Sequence, residues 1–96
     1  MSKYRKLPVI IEAITFDEFV QYGIAYSGNM VDGFPWSFDY KGIPVTHENN
    51  DTYIITPPVG EDIFFRRGEM LITDENGEIS TCAMDVFNKT YELIME

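Results

Sequence analysis

Between residues 36 and 81 the chain repeats one arrangement: a short run rich in β-branched and aromatic residues, then a cluster that favours a turn. The runs are 36–40, 43–47, 53–56, 61–65, 69–73 and 78–81. They are separated by Lys41-Gly42, Glu48-Asn49-Asn50-Asp51, Pro57-Pro58-Val59-Gly60, Arg66-Arg67-Gly68 and Asp74-Glu75-Asn76-Gly77. Val, Ile, Phe and Tyr suit a pleated, half-buried surface, whereas Gly, Pro, Asn and Asp supply the backbone angles that reverse a chain. Strands this short and this regularly spaced predict an antiparallel meander, or a small partly closed barrel. Asn76-Gly77 is the strongest hairpin signal among these turns.

The flanks add helix. Residues 8–14 are rich in Ile and Val and read as a buried strand, with Pro8 at its start, where a missing N–H does least harm. Thr15-Phe16-Asp17-Glu18 then fits a capping box, in which Thr15 and Glu18 each satisfy the other's backbone N–H. Phe16, Phe19, Val20 and Ile24 follow at helical spacing, predicting a helix over 16–26 that Gly23 weakens and Gly28 ends. Residues 29–35 read as a loop, 84–89 as one or two helical turns, and 91–94 as a last short strand. The expected fold is α+β, one domain over residues 1–96, with the opening strand near the closing one. A chain of this length buries roughly 60–65% of its unfolded surface, enough for one modest core.

Composition limits the function classes. Sixteen acidic residues face seven basic ones, a net charge of −9, with the acids spread along the chain. Such a field repels phosphate backbones, so no direct nucleic-acid binding is expected; it suits a partner with a basic groove. The plainer alternative is that the charge serves solubility. Aromatic residues make up 15% of the chain, more than a small core needs, so some should mark an interface or a pocket. A single Cys and a single His cannot form an intramolecular disulfide or a structural zinc site. No long apolar run and no secretory leader is recognisable, which leads to the expectation of a cytoplasmic protein of a bacterial cell without a membrane span.

Few residues suggest chemistry. There is no Walker-type loop, no dinucleotide-binding glycine turn and no nucleophile motif. Adjacent acids such as Asp17-Glu18 and Glu61-Asp62 are poor candidates for shared acid–base work, since neighbours on a strand face opposite ways. His47 reads as a polar strand-end residue, and Cys82 as a structural thiol more than a reactive one. Arg66 and Arg67, after Phe64-Phe65, could hold a carboxylate, a phosphate or a nucleotide base; the alternative is a solvated turn balancing Glu61, Asp62 and Glu69. Lys3, Arg5 and Lys6 could pair with Glu92 and Glu96. Trp36, Phe38 and Tyr40 alternate onto one face, either as core or as a binding or dimer face.

The two ends of the chain carry a resemblance. Tyr4-Arg5-Lys6-Leu7-Pro8-Val9-Ile10-Ile11-Glu12-Ala13 is similar to the opening of a family of small, mostly uncharacterised bacteriophage and prophage proteins. That opening is a Tyr-Arg-Lys-x-Pro run followed by an Ile/Val-Glu-Ala strand. Gly77-Glu78, Cys82, Asp85-Val86-Phe87 and Thr90-Tyr91-Glu92 resemble the family's closing pattern. Met70 departs from it where members carry Tyr, as does Ala83-Met84 where members often carry Lys-Pro. The resemblance implies a phage or prophage origin and no activity. With the acidity and the aromatic surplus, it leads to the expectation of a non-enzymatic accessory protein without a cofactor. Such a protein would bind and inhibit a host protein, for instance a nucleic-acid-binding defence enzyme whose basic groove it blocks as an acidic mimic. The second expectation is a homo-oligomer that sequesters a nucleotide ligand through Arg66 and Arg67; the third is a small virion structural or assembly factor.

Overall fold

The computed structural model describes residues 2–3 and 10–92. The fold is α+β with mostly antiparallel strands. Strand β1 (Glu12–Thr15) leads directly into helix α1 (Phe16–Tyr26). The capping box forms: Glu18 N donates to Thr15 Oγ1 at 3.1 Å, and Thr15 N to Glu18 Oε1 at 2.9 Å. The helix ends at Ser27, whose backbone N–H bonds the Gly23 carbonyl at 2.7 Å with Ser27 itself extended. Gly28 is therefore not a left-handed cap; the Ser27 hydroxyl, within 2.9 Å of the Asn29 and Ser37 carbonyls, fixes the exit.

Residues 29–35, expected as a loop, contain a miniature hairpin: β2 (Met30–Val31) pairs with β3 (Phe34–Pro35). Asp32 and Gly33 both have positive φ, 53° and 82°, the signature of a tight two-residue turn. Two residues per strand are too few for any periodicity to show. The meander follows as β4 (Ser37–Tyr40), β5 (Ile43–Asn49), β6 (Thr52–Ile55) and β7 (Ile63–Arg66), paired in that order. Then β8 (Glu69–Thr73) leaves this sheet for a second one, ordered β1-β8-β9, where β9 spans Ile79–Ala83. A short helix α2 (Met84–Thr90) packs on β8 and β9. The strands divide among three sheets, without closing into a barrel. The opening strand pairs with β8, and not with a strand at 91–94 as expected; β8 pairs in turn with β9. The strand expected at 91–94 is absent at Tyr91 and Glu92, and its remainder lies outside the described residues, as do the start of the strand expected at 8–14 and Arg5, Lys6 and Glu96.

The core fills the space between α1 and one face of the meander. Phe38, Tyr40, Val45, Tyr53, Ile55 and Phe65 alternate inward from successive strands and meet Phe16, Phe19 and Val20 of the helix. Phe19 sits at the centre, its ring centroid 5.1–5.6 Å from those of Phe38, Tyr40, Tyr53 and Phe65, within the range where tilted and edge-on aromatic pairs attract. The helix lies so close to the sheet that a Cβ on Gly23 would stand 2.6 Å from both the Phe38 ring and Pro35. What weakens the helix locally is thus what lets it pack. β8, buried along most of its length, is the middle strand of its sheet and links it to this core through Leu71.

Candidate functional site

In an up-and-down meander, alternate turns fall at the same end. The β5–β6 and β7–β8 turns lie at one end of the sheets, and the β4–β5, β6–β7 and β8–β9 turns lie at the other. The antiparallel register of β1 with β8 adds Thr15 and the start of α1 to the first end and Glu12 to the second. This parity sorts the charged residues into two groups that no local stretch of sequence reveals.

At the first end, Arg67 is occupied. Its Nε donates to Asp51 Oδ1 at 2.8 Å, one terminal nitrogen to Asp17 Oδ1 at 3.2 Å, and the other to the Asn50 carbonyl at 2.8 Å. The guanidinium lies 4.7 Å from the Phe16 ring centroid, a cation–π distance. Asp51 and Asp17 raise the pKa of Arg67, the Asp51 hydrogen bond most of all. Arg67 therefore ties the chain where it crosses between sheets to the β5–β6 turn and to the start of α1. The carboxylates it meets are Asp51 and Asp17; Glu61 and Asp62 are at the far end, and Glu69 accepts the Arg66 backbone N–H at 2.7 Å. Arg66 points elsewhere: its guanidinium lies 5.6 Å from the ring of exposed Phe64, with no ion-pair partner among the described residues.

The aromatic run divides in a comparable way. Phe38 and Tyr40 are core; Trp36, just before β4, continues their alternation at the edge of that layer, opposite His47, and is 42% exposed. Its ring stacks on His47 at 5.2 Å, and Phe34 and Tyr53 flank the same imidazole. His47 is thus half-buried among aromatics, not a solvated strand end. Asn50 Oδ1 lies 3.1 Å from Nε2, and Nδ1 is buried without a partner among the described residues. The Tyr53 hydroxyl donates to the Pro35 carbonyl at 3.0 Å, and burial pushes its pKa up to about 12. Burial also raises the pKa of Tyr40, offset in part by Lys41 and by the neighbouring Thr73 hydroxyl. Cys82 is partly buried on β9, its Sγ within 3.5 Å of the Ala83 carbonyl.

The second end carries a feature the sequence did not announce. The β4–β5 turn, the β6–β7 loop and the β8–β9 turn enclose an open cleft of ≈ 750 Å3. Ile43, Pro57, Pro58, Val59, Ile63 and Ile79 give it apolar walls, and Glu61 and Glu78 also line it. A second cleft of ≈ 530 Å3 adjoins it, sharing Lys41 and Gly77 and adding Ile10, Glu12, Asp74 and Glu75. Lys41 is held by an ion pair with Glu12, which raises its pKa. Asp74 Oδ1 caps its own turn by accepting the backbone N–H groups of Asn76 and Glu78 at 2.8 and 2.9 Å. Glu61, Glu75 and Glu78 have no ion-pair partner among the described residues. Val59 is 86% exposed and Ile10 67%. The result is one groove with an apolar floor and an acidic rim.

Among the described residues, no group of three or more His, Cys, Asp or Glu side chains is placed to hold a metal ion. No described helix is long and apolar enough to cross a membrane. Comparison with protein-family models, with curated proteins and with solved structures returns no match.

Proposed function

We propose that this chain is a non-enzymatic accessory protein of phage or prophage origin that binds a host protein and inhibits it in the bacterial cytoplasm. The observation that carries this reading is the groove between the β4–β5, β6–β7 and β8–β9 turns, where carboxylates without an ion-pair partner among the described residues lie beside exposed apolar side chains. Exposed apolar surface rimmed by charge is the kind of surface that protein partners cover. A field of this sign steers basic surfaces toward it and repels nucleic acid. A host enzyme that holds a phosphate backbone in a basic groove would meet here a protein that competes for the same cations. The phage origin rests on the end segments alone.

The test is capture of partners from bacterial lysate by the tagged full-length chain at low salt. A nucleic-acid-binding enzyme should be recovered, released by salt, and slowed by the purified chain in its own assay. Recovery of capsid or tail proteins alone would overturn the reading in favour of a virion role. A second reading, sequestration of a nucleotide, is favoured by exposed Arg66 over exposed Phe64. It predicts a thermal shift with a nucleotide that Arg66→Ala removes. Arg67, already engaged, contributes less to such a site than its place beside Arg66 suggests.

A further inference from the structure

We infer that the groove at the Lys41 end takes an extended segment of the partner protein in which apolar side chains alternate with lysine or arginine. This rests on the reading of the chain as a protein-binding inhibitor and names where, and through what chemistry, it binds. Three features select such an occupant.

The first is shape. Two clefts of ≈ 750 and ≈ 530 Å3 adjoin at Lys41 and Gly77, and both are open to solvent. A compact ligand would be enclosed on few sides; a strand-like segment could lie through both. The second is the floor. Ile43, Ile63 and Ile79 come from three strands, and Pro57-Pro58-Val59 forms a rigid apolar wall. Proline offers no N–H, so this wall recognises side chains and not a backbone edge. A bare cation or a polyamine would leave the floor unused. The third is charge. Glu61, Glu75 and Glu78 line the clefts, while the cation lining them among the described residues, Lys41, is already neutralised by Glu12. An acidic segment or a phosphate would be repelled, whereas a basic segment would place its cations on the rim and its apolar side chains on the floor.

The probe is a fluorescein-labelled peptide alternating Lys with Val and Leu, titrated with the full chain and followed by anisotropy. It should bind, and more weakly as salt rises; peptides with Ala for Val and Leu, or Glu for Lys, should bind poorly. The Glu61→Lys/Glu78→Lys variant should lose at least about tenfold in affinity, since each reversal removes an attraction and adds a repulsion. Val59→Ser should weaken binding without lowering the melting temperature. Glu48→Lys/Asp85→Lys changes the net charge equally at positions away from the groove and should cost far less. Equal losses in the two double variants would overturn the groove as the site. So would a self-association, seen by sedimentation, that Glu61→Lys/Glu78→Lys abolishes, because the occupant would then be a second copy. Lysate capture keeps the two levels apart. Capture that survives Glu61→Lys/Glu78→Lys rejects the groove and spares the inhibitor reading; absence of capture by the unaltered chain rejects the reading itself.

Discussion

At the Arg67 end of the sheets, one guanidinium gathers Asp51, Asp17 and the Asn50 carbonyl over the Phe16 ring. At the Lys41 end, Glu61, Asp74, Glu75 and Glu78 line adjoining clefts, and the lysine there is tied to Glu12. Both ends are made of short acidic turns. They differ in whether a cation arrives from elsewhere in the chain to answer the acids. Where it does, the end is closed and joins the sheets to the helix. Where none does among the described residues, apolar walls and carboxylates stay exposed. On the proposed reading, stability and binding fall at opposite ends of the same strands, and the separation can be tested by how unequally substitutions act.

The largest effect belongs to the aromatic layer between the ends. Phe19 is fully buried against four other rings, and Phe19→Ala leaves a cavity that the sheet cannot close. A loss of about 3–5 kcal/mol is expected in urea unfolding, a large share of the stability of a domain this size. A loss below about 1 kcal/mol would mean that the layer is loosely packed and that the ends, not the core, hold the molecule together.

Next comes Tyr53, buried in the same layer beneath His47. Its pKa is about 12, against an ordinary 10.0, because burial disfavours the phenolate. The folded state holds this proton more tightly than the unfolded state does. The resulting stability is complete below pH 10 and disappears as pH rises toward about 12. Unfolding followed across that window should show the decline, and Tyr53→Phe should flatten it. Near neutral pH the variant should cost roughly 1–3 kcal/mol, because the buried Pro35 carbonyl loses its donor. An unchanged alkaline slope in Tyr53→Phe would place the effect on other groups.

The two cations then separate the ends directly. Arg67→Ala removes three hydrogen bonds and a cation–π contact, all partly exposed, for a loss of about 1–2 kcal/mol. Lys41→Ala removes one exposed ion pair and should cost under about 1 kcal/mol. Arg67→Lys keeps the charge but cannot reach three acceptors in one plane, so it should resemble Arg67→Ala more than the original chain. Chemical denaturation of the three variants side by side decides the point; equal losses for Arg67→Ala and Lys41→Ala would erase the difference between the ends.

How much of this could be read in the chain depends on range. Helix α1 and its capping box involve Thr15 and Glu18, three residues apart, and the sequence pattern locates both correctly. Phe38 and Tyr40 follow from alternation within one strand. The β2–β3 hairpin was missed even though Asp32-Gly33 is a strong turn signal, because its strands are too short to alternate. Trp36 continues the alternation of Phe38 and Tyr40 just ahead of β4, where its ring stacks on His47 at the edge of the layer. The role of Arg67 depends on Asp17, fifty residues away in sequence, and no spacing rule reaches that far. The groove was hidden for a related reason. Pro57-Pro58-Val59, Glu61 and Glu78 each look like ordinary turn chemistry, and only the parity of the turns brings them to one end.

The smallest effect is the most telling for that end. Glu75→Gln/Glu78→Gln removes two carboxylates without an ion-pair partner among the described residues, while leaving Asp74 to cap the turn. Because these acids repel their neighbours and hold nothing in place, stability should change by no more than about 0.5 kcal/mol, toward gain if at all. Salt sharpens the sign. The Debye length is about 10 Å at 0.1 M, so added NaCl screens repulsion among the groove acids. The melting temperature of the original chain should therefore rise with NaCl, and rise less in Glu75→Gln/Glu78→Gln. In Arg67→Ala, which lacks the attractive network at the other end, the rise should be steeper, because salt then has less favourable electrostatics to weaken. A melting temperature that falls with salt in the original chain would show that attraction dominates at both ends. The contrast between a closed end and an open one would then be a matter of shape alone.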